Sequence, residues 1–220
     1  MTPQELLTHT DNGQLWPIMQ GGRDESDVAQ AYQQQLALRQ LRIDRGELPR
    51  GFKIGFTNRG IWPRYNVAAP IWGTVWNTGL THCEGRGLLS LRDTCQPRIE
   101  PETVFGMRST PTPGASLDDL FDAIDWVAPG FEIVQSHLPD WKFAAADAVA
   151  DGGLHARLLV GRRIARDDIG ANAARLQAAL AGANVVLRRD KKAVDRGVGA
   201  NVLDGPLLAL QHFVRELHQC

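Results

Sequence analysis

The sequence predicts an α+β fold, and three observations carry that prediction. Apolar residues recur at helical spacing in two stretches, 24–45 and 206–217. Apolar residues fill shorter extended runs at 51–56 and 98–107. Helical and strand patterns follow one another without a regular βαβ repeat, which argues against a parallel α/β sheet. At 220 residues, a chain of this kind buries roughly 70 to 75% of its unfolded surface, enough for a full core.

Taken in order, the first helix runs from Asp24 to Arg45, with Ala29, Tyr32, Leu36 and Ile43 on one face. Asp24 is its N-cap, Asp27 favours the dipole in the first turn, and Gly46 supplies the left-handed stop. Gly51-Phe52-Lys53-Ile54-Gly55-Phe56 follows as a strand, with Lys53 opposite its apolar neighbours or inside a lined cavity. From Asn58 to Gly87 the chain is rich in Gly, Pro, Asn and Trp, the composition of a long excursion around a binding site or interface. Its Trp62, Trp72 and Trp76 read first as buried packing or a subunit contact.

Leu88–Leu91 and Arg98–Met107 read as strands, and Arg108–Ala115 as a loop. Ser116-Leu-Asp-Asp119 opens a helix as a capping-box variant, with Leu117, Leu120, Ile124 and Val127 as its stripe and Pro129 as its end. A short strand at Gly130–Gln135, a helix at Phe143–Ala150 and a strand at Ala156–Ile164 come next. Asn184–Leu187 and Ala193–Asp195 flank the charged turn Arg188–Lys192 as a hairpin, and the last helix begins near Pro206 and buries Leu207, Leu210, Val214 and Leu217. No repeat or linker interrupts the chain, so a single domain over 1–220 is expected, with a helical segment at 1–46.

The 24 Lys and Arg nearly cancel the 25 Asp and Glu, which leaves a formal net charge of -1 and no basic field for nucleic acid or anionic lipid. Cys83, Cys95 and Cys220 show no C-x-x-C spacing and fit a reducing cytoplasm. Met1–Leu15 lacks the basic start and apolar core of a signal peptide, and no apolar run of about 18 residues suggests a membrane span.

Chemistry concentrates in acids. In Ile99-Glu100-Pro101-Glu102 the two carboxylates of an extended segment project to one face, within joint reach of a cation, and Pro101 marks a bulge or edge. The alternative is a solvated edge bearing two exposed acids. Glu132 lies between apolar residues and needs either an ion pair or a metal, because burying it alone costs several kcal/mol. An all-carboxylate set suits Mg²⁺ or Mn²⁺ and not zinc. Arg59 and Arg64 flank Trp62, either as clamps for a substrate carboxylate or as surface arginines. His9, His82, His137, His212 and His218 fit no ligand spacing and read as ordinary histidines.

Glu47 with Gly51-Phe-Lys53-Ile-Gly55-Phe, Ile99-Glu-Pro-Glu102, Phe131-Glu132-Ile-Val-Gln-Ser136 with Asp140-Trp-Lys142, and Gly199-Ala-Asn-Val-Leu203 before Pro206-Leu occur in that order across nearly the whole chain. Together these blocks resemble the 2-keto-4-pentenoate hydratase and 4-oxalocrotonate decarboxylase branch of the fumarylacetoacetate hydrolase superfamily. The resemblance implies a mixed β-roll over 47–220 and a divalent cation held by Glu100, Glu102 and Glu132. It further implies Lys53 as the active-site lysine and Glu47 as an acid/base candidate.

Where the hydratases carry an Asp-Pro-Asp-Tyr-Gly-like stretch, this chain has Ala69-Pro70-Ile71-Trp72-Gly73, so Ile71 and Trp72 are expected to give a less polar substrate pocket. His155, in Ala150-Asp151-Gly152-Gly153-Leu154-His155, either contacts substrate or caps the following strand. The activity implied is a lyase on small 2-keto or 2-enol acids, most readily a hydratase. A decarboxylase, an acylpyruvate hydrolase and a silent partner subunit are the alternatives. A homo-oligomer is expected, with association to a related decarboxylase or hydratase as a further option.

Overall fold

The computed structural model describes residues 1–17, 28–65 and 69–217. The expected Asp24 cap, Asp27, His218 and Cys220 lie outside the described residues, as does the side chain of Arg64. The chain divides into two compact units, Met1–Phe56 with Ile61–Glu100 and Phe131–Leu159, and Thr57–Gly60 with Pro101–Gly130 and Val160–Cys220.

The first unit opens with α1 (Pro3–Asp11), whose Thr2 and Glu5 form a reciprocal capping box and whose Leu6 and Leu7 are buried. Helix α2 (Val28–Asp44) ends at Gly46 in the left-handed conformation, as expected. Its buried face is Ala31, Tyr32 and Gln35, while Ala29 is exposed. A glutamine is tolerated inside because Gln35 Nε2 donates to the carbonyls of Trp72 and Val149.

Strand β1 (Pro49–Gly55) pairs antiparallel with the fully buried β2 (Ile71–Trp76), beyond the short helix α3 (Trp62–Tyr65). Strand β3 (Leu80–His82) follows. The expected strand at Leu88–Leu91 is absent: the stretch pairs with no strand among the described residues, and Leu88 stands 94% exposed. Helix α5 (Ala145–Ala150) supplies a block of buried small residues against α2.

Strand β4 spans Arg98–Met107, the bounds the sequence predicts. Helix α4 (Leu117–Ala123) carries the Ser116/Asp119 capping box but stops earlier than expected. Ile124, Val127 and Pro129 belong instead to β5 (Ile124–Val134), where β-branched and aromatic residues favour extended backbone and Val127 pairs with Ile164. The single strand expected over Ala156–Ile164 is two, β6 (His155–Val160) and β7 (Ile164–Ala165), because the Gly161 N–H turns to bond the Pro129 carbonyl. These strands form a sheet in the order β3-β6-β5-β4, with β7 on β5.

The second unit contains α6 (Arg166–Ile169), α7 (Ala173–Ala181), the antiparallel hairpin β8 (Asn184–Arg189) and β9 (Lys192–Val198), and α8 (Pro206–Leu217). Leu120, Phe121, Leu176, Leu207, Leu210 and Phe213, from α4, α7 and α8, form its core. Leu207, Leu210 and Val214 are buried as the apolar stripe of α8 predicts, whereas Leu217 is half-buried. No helix among the described residues is long and apolar enough to cross a membrane.

Candidate active site

The site is organised by a close backbone approach. Lys53 on β1 pairs with Gly73 on β2, and a Cβ at Gly73 would stand 1.9 Å from the Gly152 carbonyl oxygen. Only glycine lets the turn 152–154 lie against β2 there. Gly153 adopts a positive φ of 68°, and its carbonyl accepts a hydrogen bond of 2.9 Å from Lys53 Nζ. The same turn delivers His155 to the start of β6.

Glu132, 2% exposed on β5, meets Lys53 and His155. Its Oε2 lies 3.3 Å from Lys53 Nζ and its Oε1 2.6 Å from His155 Nδ1. Burial pushes the Glu132 carboxyl upward, but Lys53 and the bond to His155 outweigh that cost and hold it below the ordinary carboxylate range. It therefore stays ionised within an apolar surround. Strand β4 contributes Glu100 and Glu102 on either side of Pro101, and ligand oxygens of Glu100, Glu102 and Glu132 all lie within 4.8 Å of one another. Desolvation of its carboxylate, reinforced by repulsion from Glu132, raises the Glu100 pKa against the pull of Lys53 and Arg98. Converging carboxylates that make one another's ionisation costlier are relieved by a cation, and an all-oxygen donor set fits a hard divalent ion.

Ile71 reaches the same place. Its Cγ1 and Lys53 Nζ stand 3.1 and 3.4 Å from the point where a Cβ on Gly55 would lie. Trp72 does not join them, because alternation along β2 turns it to the opposite face. It is 3% exposed there, stacked on Tyr32 and edge-on to Phe52.

The contacts of Glu47 lead elsewhere as well. Its carboxylate accepts from Arg42, Arg45 and the Thr78 hydroxyl, and these donors outweigh burial and keep it below the ordinary range. Three donors on an ionised carboxylate describe a fixed ion pair more than an acid/base group. Arg59 is exposed, belongs to the second unit and pairs with Asp204 at 2.6 Å.

Sequence reasoning missed one buried polar pair. His137, fully buried, bonds Asp151 Oδ1 through Nδ1 at 2.5 Å and Oδ2 through its backbone N–H at 2.9 Å. The only sequence signal was an aspartate at the end of the alanine-rich run Ala144–Ala150.

An α+β fold carrying three convergent carboxylates beside a buried lysine defines the class, a protein equipped to hold a divalent cation. No protein-family model matches the chain. The backbone matches 4-oxalocrotonate decarboxylase from Pseudomonas putida G7, complexed with magnesium and adipate, at a TM-score of 0.83 over 99% of this chain and 79% of that one, with 23% identity. The sequence is 34% identical over 142 residues to 2-hydroxyhexa-2,4-dienoate hydratase of Comamonas testosteroni, covering 63% of this chain but only 53% of that protein. It is 29% identical over 207 residues to 4-oxalocrotonate decarboxylase of a Pseudomonas species, covering 94% of this chain and 76% of the relative. The chain is thus similar in sequence to hydratases and decarboxylases of this kind, and in backbone to a decarboxylase.

Proposed function

We propose that this protein is a divalent-metal-dependent lyase that hydrates a small 2-hydroxydienoate of the 2-keto-4-pentenoate type. The observation that carries this reading is the convergence of Glu100, Glu102 and Glu132 within 4.8 Å, with Lys53 Nζ on the most buried of them. Mg²⁺ or Mn²⁺ held by these glutamates supplies Lewis acidity to a substrate's carboxylate and neighbouring oxygen. Lys53, fixed by Gly153 and Glu132, presents a positive charge where negative charge develops as the acid enolises, and needs no reorganisation to do so. His155 holds Glu132 in orientation from its other oxygen. Ile71 beside the ammonium gives an apolar wall, which suits an unsaturated tail better than a second carboxylate.

Decarboxylation of an oxalocrotonate-like acid is the second reading, favoured by the long alignment with a decarboxylase. Free Cys83 and Cys95 suit the cytoplasm, and the exposed Val185, Val186 and Val194 of the β8–β9 hairpin suit burial in a homo-oligomer.

The test is ultraviolet monitoring of 2-hydroxypentadienoate and 4-oxalocrotonate consumption by chelator-treated protein, with and without added Mg²⁺. Mg²⁺-dependent loss of the dienoate, with Mg²⁺ affinity weakened in Glu102→Gln, is expected. No turnover of either acid with Mg²⁺ bound would refute the lyase reading.

A further inference from the structure

On the Thr74 face of β2, opposite the face that carries Lys53, the first unit holds a second cleft. It is partly enclosed and partly open to solvent. Helix α2 lines it with Gln35, Arg39 and Arg42, β2 with Thr74, the turn before β6 with Asp151, and the start of β6 with His155. Four polar atoms of these residues are buried without a hydrogen-bond partner among the described residues: Gln35 Oε1, Arg39 Nε, Thr74 Oγ1 and His155 Nε2. Gln35 is 3% and Thr74 5% exposed, and the His155 side chain 4%, so bulk solvent does not serve them. Each such atom left unsatisfied has given up its bonds to water without replacement. Four around one cleft therefore call for an occupant that bonds to them.

The charges around the cleft say what that occupant is. Arg42 is neutralised by Glu47 and lies over the Trp76 ring. Asp151 spends both oxygens on His137. Arg39 has no carboxylate within ion-pair distance among the described residues. A neutral guest would leave it so.

We propose that this cleft binds a small oxyanion of carboxylate or bicarbonate size, held by the Arg39 guanidinium and the Thr74 hydroxyl, with Gln35 Oε1 accepting from a protonated oxygen or a companion water. His155 links this guest to the glutamate cluster, since its Nδ1 is on Glu132 and its Nε2 borders the cleft. The binding claim does not depend on the reaction proposed above.

Calorimetric titration of the chelator-treated full chain with formate, acetate and bicarbonate tests it, because without a divalent ion the glutamates repel these anions. Saturable binding of at least one anion is expected, weakened tenfold or more in Arg39→Met and Thr74→Val. Arg39→Lys keeps the charge without the planar fork and should fall between Arg39→Met and the parent. Far-ultraviolet circular dichroism identifies variants that fold, and the conclusion is drawn from those. No saturable binding by the folded parent, or binding that folded Arg39→Met leaves intact, overturns the proposal and assigns the cleft to water. A failed lyase assay leaves this outcome untouched, so the two readings fail separately.

Discussion

Replacing Lys53 with Met keeps the stem and removes the charge, which isolates what the ammonium does for the folded chain. In the parent the Lys53 and Glu132 side chains are 10% and 3% exposed, 3.3 Å apart. Deleting one partner of a buried pair costs about 3 to 5 kcal/mol, because the other charge is left behind. Here His155 still holds Glu132, which sets the loss at the lower end, about 3 kcal/mol. For a chain of this size each kcal/mol moves the melting temperature by about 2 to 4 °C, so metal-free Lys53→Met should melt roughly 6 to 12 °C below the parent. A divalent ion on the three glutamates replaces the missing positive charge, so millimolar Mg²⁺ should narrow that gap. Thermal unfolding of both proteins in chelator and in Mg²⁺ reads this directly. A metal-free variant melting within about 2 °C of the parent would show that Lys53 does not balance Glu132, and a gap that Mg²⁺ leaves unchanged would show that no divalent ion takes its place.

Lys53→Met should also lower turnover on the order of 10² to 10³-fold, the loss of a single donor to a developing oxyanion, and turnover within twofold of the parent would remove Lys53 from catalysis. Glu47→Gln should destabilise the protein at pH 7 by about 1.5 to 3 kcal/mol, the worth of charge-assisted hydrogen bonds. Because the folded Glu47 titrates below its ordinary 4.5, its stabilisation is present above that value and lost as pH falls through the folded pKa. Urea midpoints of parent and Glu47→Gln should therefore converge at acid pH, and a gap that widens on acidification contradicts the ion-pair assignment. Gly73→Ala must push the 152–154 turn off β2, and activity should fall with it; a variant of unchanged activity and melting temperature would mean that the contact does not organise the site. Finally, kcat/KM should favour a dienoate over the same chain ending in a carboxylate. A tenfold preference for the dicarboxylate, about 1.4 kcal/mol, would place a cation near Ile71.

The carboxylate cluster was legible because its parts are local: two acids two residues apart on a strand, and one acid among apolar neighbours that demanded a partner. Strand β4, the β8–β9 hairpin and helix α8 were legible for the same reason, each carrying its own period and its own turn or proline. Ile124 and Val127 misled because a spacing of three fits a helix and a buried strand alike, and only the pairing with β7 decides between them. The face of β2 on which Trp72 falls is set by Tyr32 and Gln35, more than 30 residues earlier in the chain. The partners of His155, His137 and Glu47 are tertiary in the same way, and only the fold brings them together.

The two arginines at the end of α2 respond differently to their surroundings. Arg42 and Glu47 are shielded, with side chains 18% and 10% exposed, while the Arg45–Asp11 link to α1 lies in solvent at 38% and 43%. At 0.15 M salt the Debye length is about 8 Å, so added ions weaken the outer link first and leave the inner one nearly untouched. Ionic strength thus acts on the clasp between α1 and α2 separately from the pocket wall behind it, and amide exchange along α1 should quicken with salt while that of β1 stays constant.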